Sequence, residues 1–140
     1  MVNGEWWIVK NAVTPLNQIL CNKMDHKNLD VWKKGIDLAA IIYKISSGFP
    51  GEERFGLSSQ IRRAAVSVPS TIAEGSARKS NKELLQFISV ALGSLAEVET
   101  QYIIAVRLKY TLESKEVLDL ITIQRKLLLG YRNHIRKHND

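Results

Sequence analysis

The basic side chains that follow Leu57 are the residues of this chain best suited to chemistry, and the chemistry they suit is phosphate binding. Residues 57–82 carry five bases and a single acid, in a chain whose net charge is +6. The bases are Arg62, Arg63, Arg78, Lys79 and Lys82. Arginine matches a phosphate through the forked donors of its guanidinium, and a clustered positive field attracts polyanions. The segment therefore predicts a nucleic-acid-binding surface made of these five residues.

The same segment has a structural alternative. Glu74 and Arg78 are spaced i, i+4, in the acid-first order that favours an ion pair on a helix surface. A salt-bridge set of Glu74, Arg78 and one of the two adjacent arginines would give the single acid of the segment a partner. Arg62 and Arg63 point about 100° apart on a helix, so one is expected to be held within the protein while the other faces solvent. A third interpretation is a solvated face that keeps the protein soluble.

The sequence around these bases also limits what they are expected to read. No aromatic residue is interleaved with them, and base stacking on aromatic rings is how proteins commonly hold single strands. Binding is therefore expected to be directed at the phosphate backbone and to weaken with salt. A second basic cluster lies near the C-terminus, where cations also offset the dipole at a helix end. Its members are Arg132, His134, Arg136, Lys137 and His138.

No catalytic constellation is apparent in the sequence. The hydroxyls of Ser67, Ser70 and Ser94 have no nearby base in a recognisable order, and there is no glycine-rich phosphate loop. His134 and His138 have the i, i+4 spacing of two metal ligands, but no cysteine lies near them. We expect no enzymatic activity, no catalytic residue, no metal and no cofactor.

Composition and length favour one soluble domain. The chain has 140 residues, of which 45% are hydrophobic and 24% charged. Cys21 is the sole cysteine, so an intramolecular disulfide and a thiolate zinc site are excluded. No run of 18 apolar residues is present, which predicts that no helix spans a membrane. Together with the lack of a secretory signal pattern, these features predict a cytoplasmic protein.

The positions of the apolar residues predict an all-α fold with four helices. Residues 1–27 sustain no apolar period and are expected to be a poorly ordered or partly helical arm, with a short helix at 15–23 and Met24 as an alternative start. Residues 28–140 are expected to form the bundle domain. Short connections between long helices predict an antiparallel up-down-up-down arrangement.

The first two helices are expected at about 30–47 and 57–77. The buried face predicted for the first consists of Leu29, Trp32, Ile36, Ala39 and Tyr43, which recur at spacings of three and four, with Ile42 and Ile45 beside them. Pro69 is expected to kink the second helix. In the connection between them, Phe49 and Phe55 are expected to tuck beneath the end of the bundle.

The third and fourth helices carry the clearest signals. Ser80 and Glu83 form a capping-box pattern directly before an apolar heptad seam. The seam consists of Leu84, Ile88, Ala91, Leu95, Val98, Tyr102 and Ala105. After a connection capped by Thr111 or Ser114, the fourth helix is expected at about 115–136. Its predicted face consists of Val117, Ile121, Leu128, Tyr131 and Ile135.

These motifs resemble those of a bacterial family of four-helix bundle proteins, first associated with intervening sequences in 23S ribosomal RNA genes. The resemblance rests on LDVWKKGIDLA at 29–39, Phe49-Pro50, FGLSSQIRRAAVSVPS at 55–70, IAEGSAR at 72–78 and Gly93-Ser94 within 87–97. Pro69, Glu74 and Gly75 belong to its structural motif. Thr71 stands where the family usually has Asn, and Gly35 where it usually has Ala, which is expected to loosen the first helix.

The resemblance implies assembly and partners rather than an activity. It implies a ring-shaped homo-oligomer, with a pentamer expected, and it extends to the accessory protein that partners a reverse transcriptase in diversity-generating retroelements. We therefore expect a non-enzymatic oligomer that binds RNA or DNA phosphates electrostatically. The alternative is an adaptor or scaffold that docks onto a nucleic-acid-processing enzyme.

Overall fold

A computed structural model describes residues 25–138 of the protein, and these residues form four long helices. The helices are α1 Asp30–Ser46, α2 Leu57–Ser76, α3 Asn81–Arg107 and α4 Lys115–Lys137. Single-turn 3-10 helices at His26–Asn28 and Gly51–Glu53 precede α1 and α2. No strand occurs within residues 25–138, so the all-α expectation is confirmed for them. Most of the expected arm, including the helix predicted at 15–23, lies outside the described residues.

The helix ends follow from local capping chemistry. The Ser80 hydroxyl accepts the Glu83 backbone N–H at 3.2 Å and starts α3, and it donates to the Glu83 carboxylate at 3.2 Å. Ser114 caps α4 by accepting the Val117 N–H at 3.4 Å, so it is the cap rather than Thr111. α2 has no side-chain cap at Gly56; instead the Glu53 carboxylate accepts the Leu57 N–H at 3.0 Å.

The core lies between four pairs of neighbouring helices: α1 with α2, α2 with α3, α3 with α4, and α4 with α1. α2 and α3 share the most extensive contact. The predicted seam of α3 is confirmed, because all seven of its residues are buried. Within residues 25–138, no helix combines the length and the apolar character that crossing a bilayer requires.

The face predicted for α1 is wrong in part. Ile36 and Tyr43 are 42% and 45% exposed, and the buried residues of α1 are Val31, Gly35, Leu38, Ile42 and Ser46. Two apolar stripes adjoin on this helix, and packing selects the stripe that contains the small residues. A Cβ on Gly35 would lie 3.2 Å from the Cβ of Pro69, so the missing side chain lets α1 approach α2 closely.

The structural motif of α2 follows the same logic. The helix runs unbroken from Leu57 to Ser76 through the buried Pro69, and its kink stays a prediction. A Cβ on Gly75 would lie only 2.7 Å from the Cβ of Phe87, so α3 packs directly against the backbone of α2 there. The Thr71 hydroxyl donates to the Ser67 carbonyl at 2.7 Å, a bond within its own helix.

The connection between α1 and α2 corrects a second expectation. Phe49 is buried, and its ring centroid lies 5.8 Å from that of Tyr110 in the connection that follows α3. Phe55 does not tuck under the bundle, since 88% of its surface is exposed. Phe49 and Tyr110 fill the space beneath the helices, and the Tyr110 hydroxyl donates to Glu53 at 2.9 Å. Phe55, two residues after Glu53, is left outside this closed end.

Gln124 is a buried polar residue that the apolar pattern did not predict. It is 0% exposed, and its Nε2 donates to the carbonyl oxygen of Val31 at 2.8 Å. Its position between Ile121 and Leu128 on the buried stripe of α4 was the available signal. The bond ties the middle of α4 to the first turn of α1.

Candidate nucleic-acid interface

The five predicted binding residues do not form one patch on the chain. Arg62 and Arg63 lie near the start of α2, whereas Arg78, Lys79 and Lys82 surround the turn between α2 and α3. At 1.5 Å per residue, the stretch from Arg62 to Arg78 spans about 24 Å. The structure therefore separates two basic surfaces.

The first surface is an open pocket of about 650 Å³ formed by the end of α1, the following connection and the start of α2. Its cations are Arg54, Arg62 and Arg63, and its aromatic rings include Tyr43 and Phe55. We call these five residues the arginine pocket. Arg54 escaped the sequence prediction because it lies in a stretch where acids and bases balance.

Arg62 is held at the wall of this pocket by uncharged groups. Its Nε donates to the Ser46 hydroxyl at 2.7 Å, and its Nη2 donates to the Tyr43 carbonyl at 3.3 Å. Its guanidinium carbon lies 4.7 Å from the centroid of the Tyr43 ring. Arg62 is half-buried while Arg63 is exposed, which agrees with the expectation for adjacent helical residues.

The positive charge of the pocket is not neutralised by the described chain. Among residues 25–138, no ion pair within 4.0 Å involves Arg54, Arg62 or Arg63. The nearby Glu53 carboxylate is occupied elsewhere, because it accepts the Leu57 N–H and the Tyr110 hydroxyl. These two bonds lower the pKa of Glu53 below its ordinary value, the Leu57 bond having the larger effect.

Aromatic rings accompany these cations in space, although none is interleaved with the predicted bases in the sequence. Besides the contact of Arg62 with Tyr43, the guanidinium carbon of Arg54 lies 5.3 Å from the centroid of the exposed Phe55 ring. Tyr43 and Arg62 belong to different helices, so no local sequence pattern could reveal their contact. The argument against stacking on aromatic side chains therefore fails at this pocket.

The second surface, which we call the basic end, consists of Arg78, Lys79, Lys82, Arg136 and Lys137. The side-chain amide of Asn81 donates to the His138 carbonyl at 3.4 Å, which places the last turn of α4 beside the start of α3. Two basic clusters that are separate in the sequence thus meet. All five cations are exposed.

The salt-bridge set expected around Glu74 is not formed in the described part of the chain. Glu74 is exposed and takes part in no ion pair among residues 25–138. Arg78 instead lies over the ring of Phe87, with its guanidinium carbon 4.8 Å from the centroid. The close approach of α3 at Gly75 brings this ring within reach and accounts for the different partner.

The histidines at the end of α4 lie together but are not joined by other metal ligands. The ring centroids of His134 and His138 are 4.5 Å apart, and Nδ1 of His138 lies 2.9 Å from the His134 carbonyl oxygen. In the part of the chain from Asp25 to His138, no group of three or more His, Cys, Asp or Glu residues is placed to hold a metal ion.

Comparison with known proteins identifies a family that matches most of this chain. Residues 27–130 match the family described as 23S rRNA-intervening sequence protein. The fold is similar to that of a crystal structure from Bacteroides thetaiotaomicron, a protein with unknown function from the S23 ribosomal protein family. The two share 24% sequence identity and a TM-score of 0.63, over 73% of this chain and 97% of that chain.

At this identity the structural similarity supports the fold alone. No curated protein matches the chain. The family match, however, extends over α1, α2, α3 and most of α4, and so over well more than half of the sequence. The resemblance drawn from the sequence motifs is thereby confirmed: the chain belongs to the 23S rRNA-intervening sequence protein family.

Proposed function

We propose that this protein is a non-enzymatic, basic, oligomeric bundle protein that binds nucleic-acid phosphates electrostatically. The observation that carries the proposal is the half-buried Arg62, held by neutral acceptors beside two further arginines and without a carboxylate partner among residues 25–138. Withdrawing a cation from water is unfavourable unless an anion compensates it. A phosphate group would supply that anion.

The donors left on Arg62 suit a phosphate. A guanidinium has five N–H donors, and two of those on Arg62 are used by Ser46 and Tyr43. The remaining donors can bind an oxyanion in a fork, while Arg54 and Arg63 add charge from the same pocket. The neutral tethers hold the guanidinium in place before a ligand arrives, which lowers the entropic cost of binding.

The basic end supports the same class of ligand through its field. Its five exposed cations lie on the turn between α2 and α3, at the start of α3 and on the last turn of α4. The family description refers to intervening sequences of 23S rRNA, which agrees with a nucleic-acid context. The expected cytoplasmic location stays a prediction.

Binding across a salt series tests the proposal. We expect affinity for a fluorescent 20-nucleotide RNA to fall steeply with salt, because each neutralised phosphate contributes roughly 0.7 to 0.9 to the slope of log K against log salt. Arg62→Ala/Arg63→Ala should reduce that slope by about 1 to 2. The matched control is Lys33→Ala/Lys126→Ala, which removes two exposed cations outside both basic surfaces.

Two outcomes would overturn the proposal. One is no binding at low salt by a folded wild type whose assembly is intact. The other is an equal reduction of the salt slope in the control, which would show that the slope depends on net charge and not on the arginine pocket. Because Arg62 also tethers α1 to α2, Arg63→Ala alone provides a variant that keeps those bonds and should still lower the slope by about 1.

We also propose the finer architecture implied by the family resemblance, an antiparallel up-down-up-down bundle that forms a ring, with a pentamer expected. The contact of Asn81 with His138 supports the antiparallel pairing of α3 and α4. Exposed apolar side chains on α1 and α2 support self-association, because such residues on neighbouring helices favour an interface. They are Ile36 and Val66.

An adaptor role is the second candidate, favoured by the connection between α3 and α4. Leu108 and Leu112 are 51% and 89% exposed there, and neither of them lines the arginine pocket. A protein partner, such as a nucleic-acid-processing enzyme, could cover them. If the wild-type protein assembles but binds no RNA at any salt concentration, this role is favoured over the first.

A further inference from the structure

We infer that the arginine pocket binds single-stranded nucleic acid in preference to duplex, by stacking an unpaired base on Phe55 while adjacent phosphates contact Arg62 and Arg63. The inference rests on the proposed phosphate-binding function and adds the strandedness of the ligand and the residue that recognises it. Its basis is the juxtaposition of an exposed aromatic ring and guanidinium groups in one pocket.

Phe55 has the exposure that a stacking platform requires. Its side chain is 88% exposed, whereas Phe49 from the same connection is 8% exposed. The Arg54 guanidinium lies over the ring at 5.3 Å from its centroid, yet most of the surface of Phe55 is open to solvent. Every nucleobase presents a π face, so an exposed ring can receive any base that is not already stacked.

The pocket is open to solvent rather than enclosed, so a strand can lie across it without being threaded into a cavity. Phe55 and the arginine pair line the same pocket, so a base and its flanking phosphates can be held together. In a duplex the bases are paired and stacked, so their faces are not available to the ring, while the phosphates remain accessible.

The charges around Phe55 set the orientation of the strand. Glu52 and Glu53 precede it in the connection, where they disfavour phosphate and oppose the charge of Arg54 over the ring, whereas Arg62 and Arg63 bring two further cations to the same pocket. A neutral base meets no such penalty. The strand is therefore expected to place its base over Phe55 and its phosphates on the side of Arg62 and Arg63, where no carboxylate within residues 25–138 forms an ion pair with either arginine.

Removing the ring tests the inference. Phe55→Ala is compared with Leu112→Ala, since Leu112 is 89% exposed and lies on a different connection. The probes are labelled dT12, rU12, an abasic 12-mer with the same phosphates, and a 12-base-pair duplex, measured by fluorescence anisotropy. Phe55→Ala should weaken dT12 and rU12 binding by roughly 5- to 100-fold and leave the abasic strand, the duplex and the salt slope unchanged. Leu112→Ala should change nothing.

The chemistry of the ring is tested by two further variants. Phe55→Trp should bind dT12 at least as tightly as the wild type, while Phe55→Leu, which keeps an apolar side chain without a π face, should behave like Phe55→Ala. Because Phe55 is exposed, all variants should unfold at the wild-type temperature.

The outcomes separate the two proposals. If the wild type binds all four probes with equal affinity and Phe55→Ala binds them with the same affinity as the wild type, the stacking inference fails while phosphate binding stands. If no probe binds at low salt, phosphate binding itself fails. Tighter binding of the duplex than of dT12 would also overturn the inference.

Discussion

At the scale of single residues, Gly75 determines how closely α2 and α3 approach. Gly75→Ala places a methyl group 2.7 Å from the Cβ of Phe87 and 3.0 Å from Cδ1 of Leu84, so the helices must move apart. We expect the free energy of unfolding to fall by about 1 to 3 kcal/mol, as in other overpacked cores. Urea denaturation measures the change.

Gly93 provides the matched control for this substitution. It lies on the exposed face of α3, and a Cβ there would meet no atom of the described chain within 4 Å. Gly93→Ala should therefore raise stability by about 0.5 to 1 kcal/mol through helix propensity. Equal effects of the two substitutions would contradict the close approach at Gly75.

Glu53 couples stability to pH. The Leu57 N–H, and after it the Tyr110 hydroxyl, lower the pKa of its carboxyl in the folded state. A lowered folded pKa gives stability that is complete above the unfolded pKa and is lost as pH falls through the folded value. Glu53→Gln should therefore cost stability at pH 7 and have a smaller effect near pH 3.

Denaturant titrations of wild type and Glu53→Gln at the two pH values measure this difference directly. Tyr110→Phe removes one of the two hydrogen bonds to Glu53. In that background the cost of Glu53→Gln should differ less between pH 7 and pH 3, but it should still differ, because the Leu57 bond remains. An equal difference in unfolding free energy between wild type and Glu53→Gln at pH 3 and pH 7 would show that the Glu53 carboxylate does not favour the folded state through its charge.

At the scale of elements, Ser80 starts the longest helix of the described chain and joins it to the basic end. Ser80→Ala removes the acceptor for the Glu83 N–H, so we expect a loss of about 1 kcal/mol, within the usual range for such caps. Ser89→Ala, on the exposed face of α3, should change stability by less than about 0.5 kcal/mol. Thermal unfolding followed by circular dichroism compares the two, and equal losses would contradict the cap.

The helix bounds were predictable because their signals are local. Ser80 and Ser114 mark helix starts through their own hydroxyls. The seam of α3 was predictable because one apolar period runs through it without a rival.

The buried face of α1 was not predictable, because two apolar stripes adjoin and the choice depends on Pro69 of another helix. The same distinction applies to the candidate site. The arginine pair is visible as a local charge pattern, and Arg62 and Arg63 were predicted from it. The contact of Arg62 with Tyr43 joins residues 19 apart in the sequence, so it required the packed structure.

At the scale of the whole molecule, the exposed apolar residues of α1 and α2 are expected to be covered by another copy of the chain. Ile36 is 42% exposed on α1, and Val66 is 40% exposed on the neighbouring α2. Ile36→Lys/Val66→Lys should reduce the mass measured by light scattering, because burying two ammonium groups at an interface is costly.

A charge-matched control separates this effect from general repulsion. Ser89→Lys/Thr122→Lys adds the same two charges at exposed positions on α3 and α4 and should leave the mass unchanged. An unchanged mass in Ile36→Lys/Val66→Lys would place the interface elsewhere. A wild type with the mass of a single subunit would contradict the ring proposal.

The bond from Arg62 to the Tyr43 carbonyl has a consequence for local opening. That carbonyl also accepts the Ser47 N–H at 3.2 Å, so the guanidinium contacts the last turn of α1. Any anion that binds only the tethered arginine must, by thermodynamic linkage, suppress excursions in which this last turn unwinds. Amide hydrogen exchange at Ser47 should slow when a strand occupies the pocket, giving a readout of occupancy within the backbone itself.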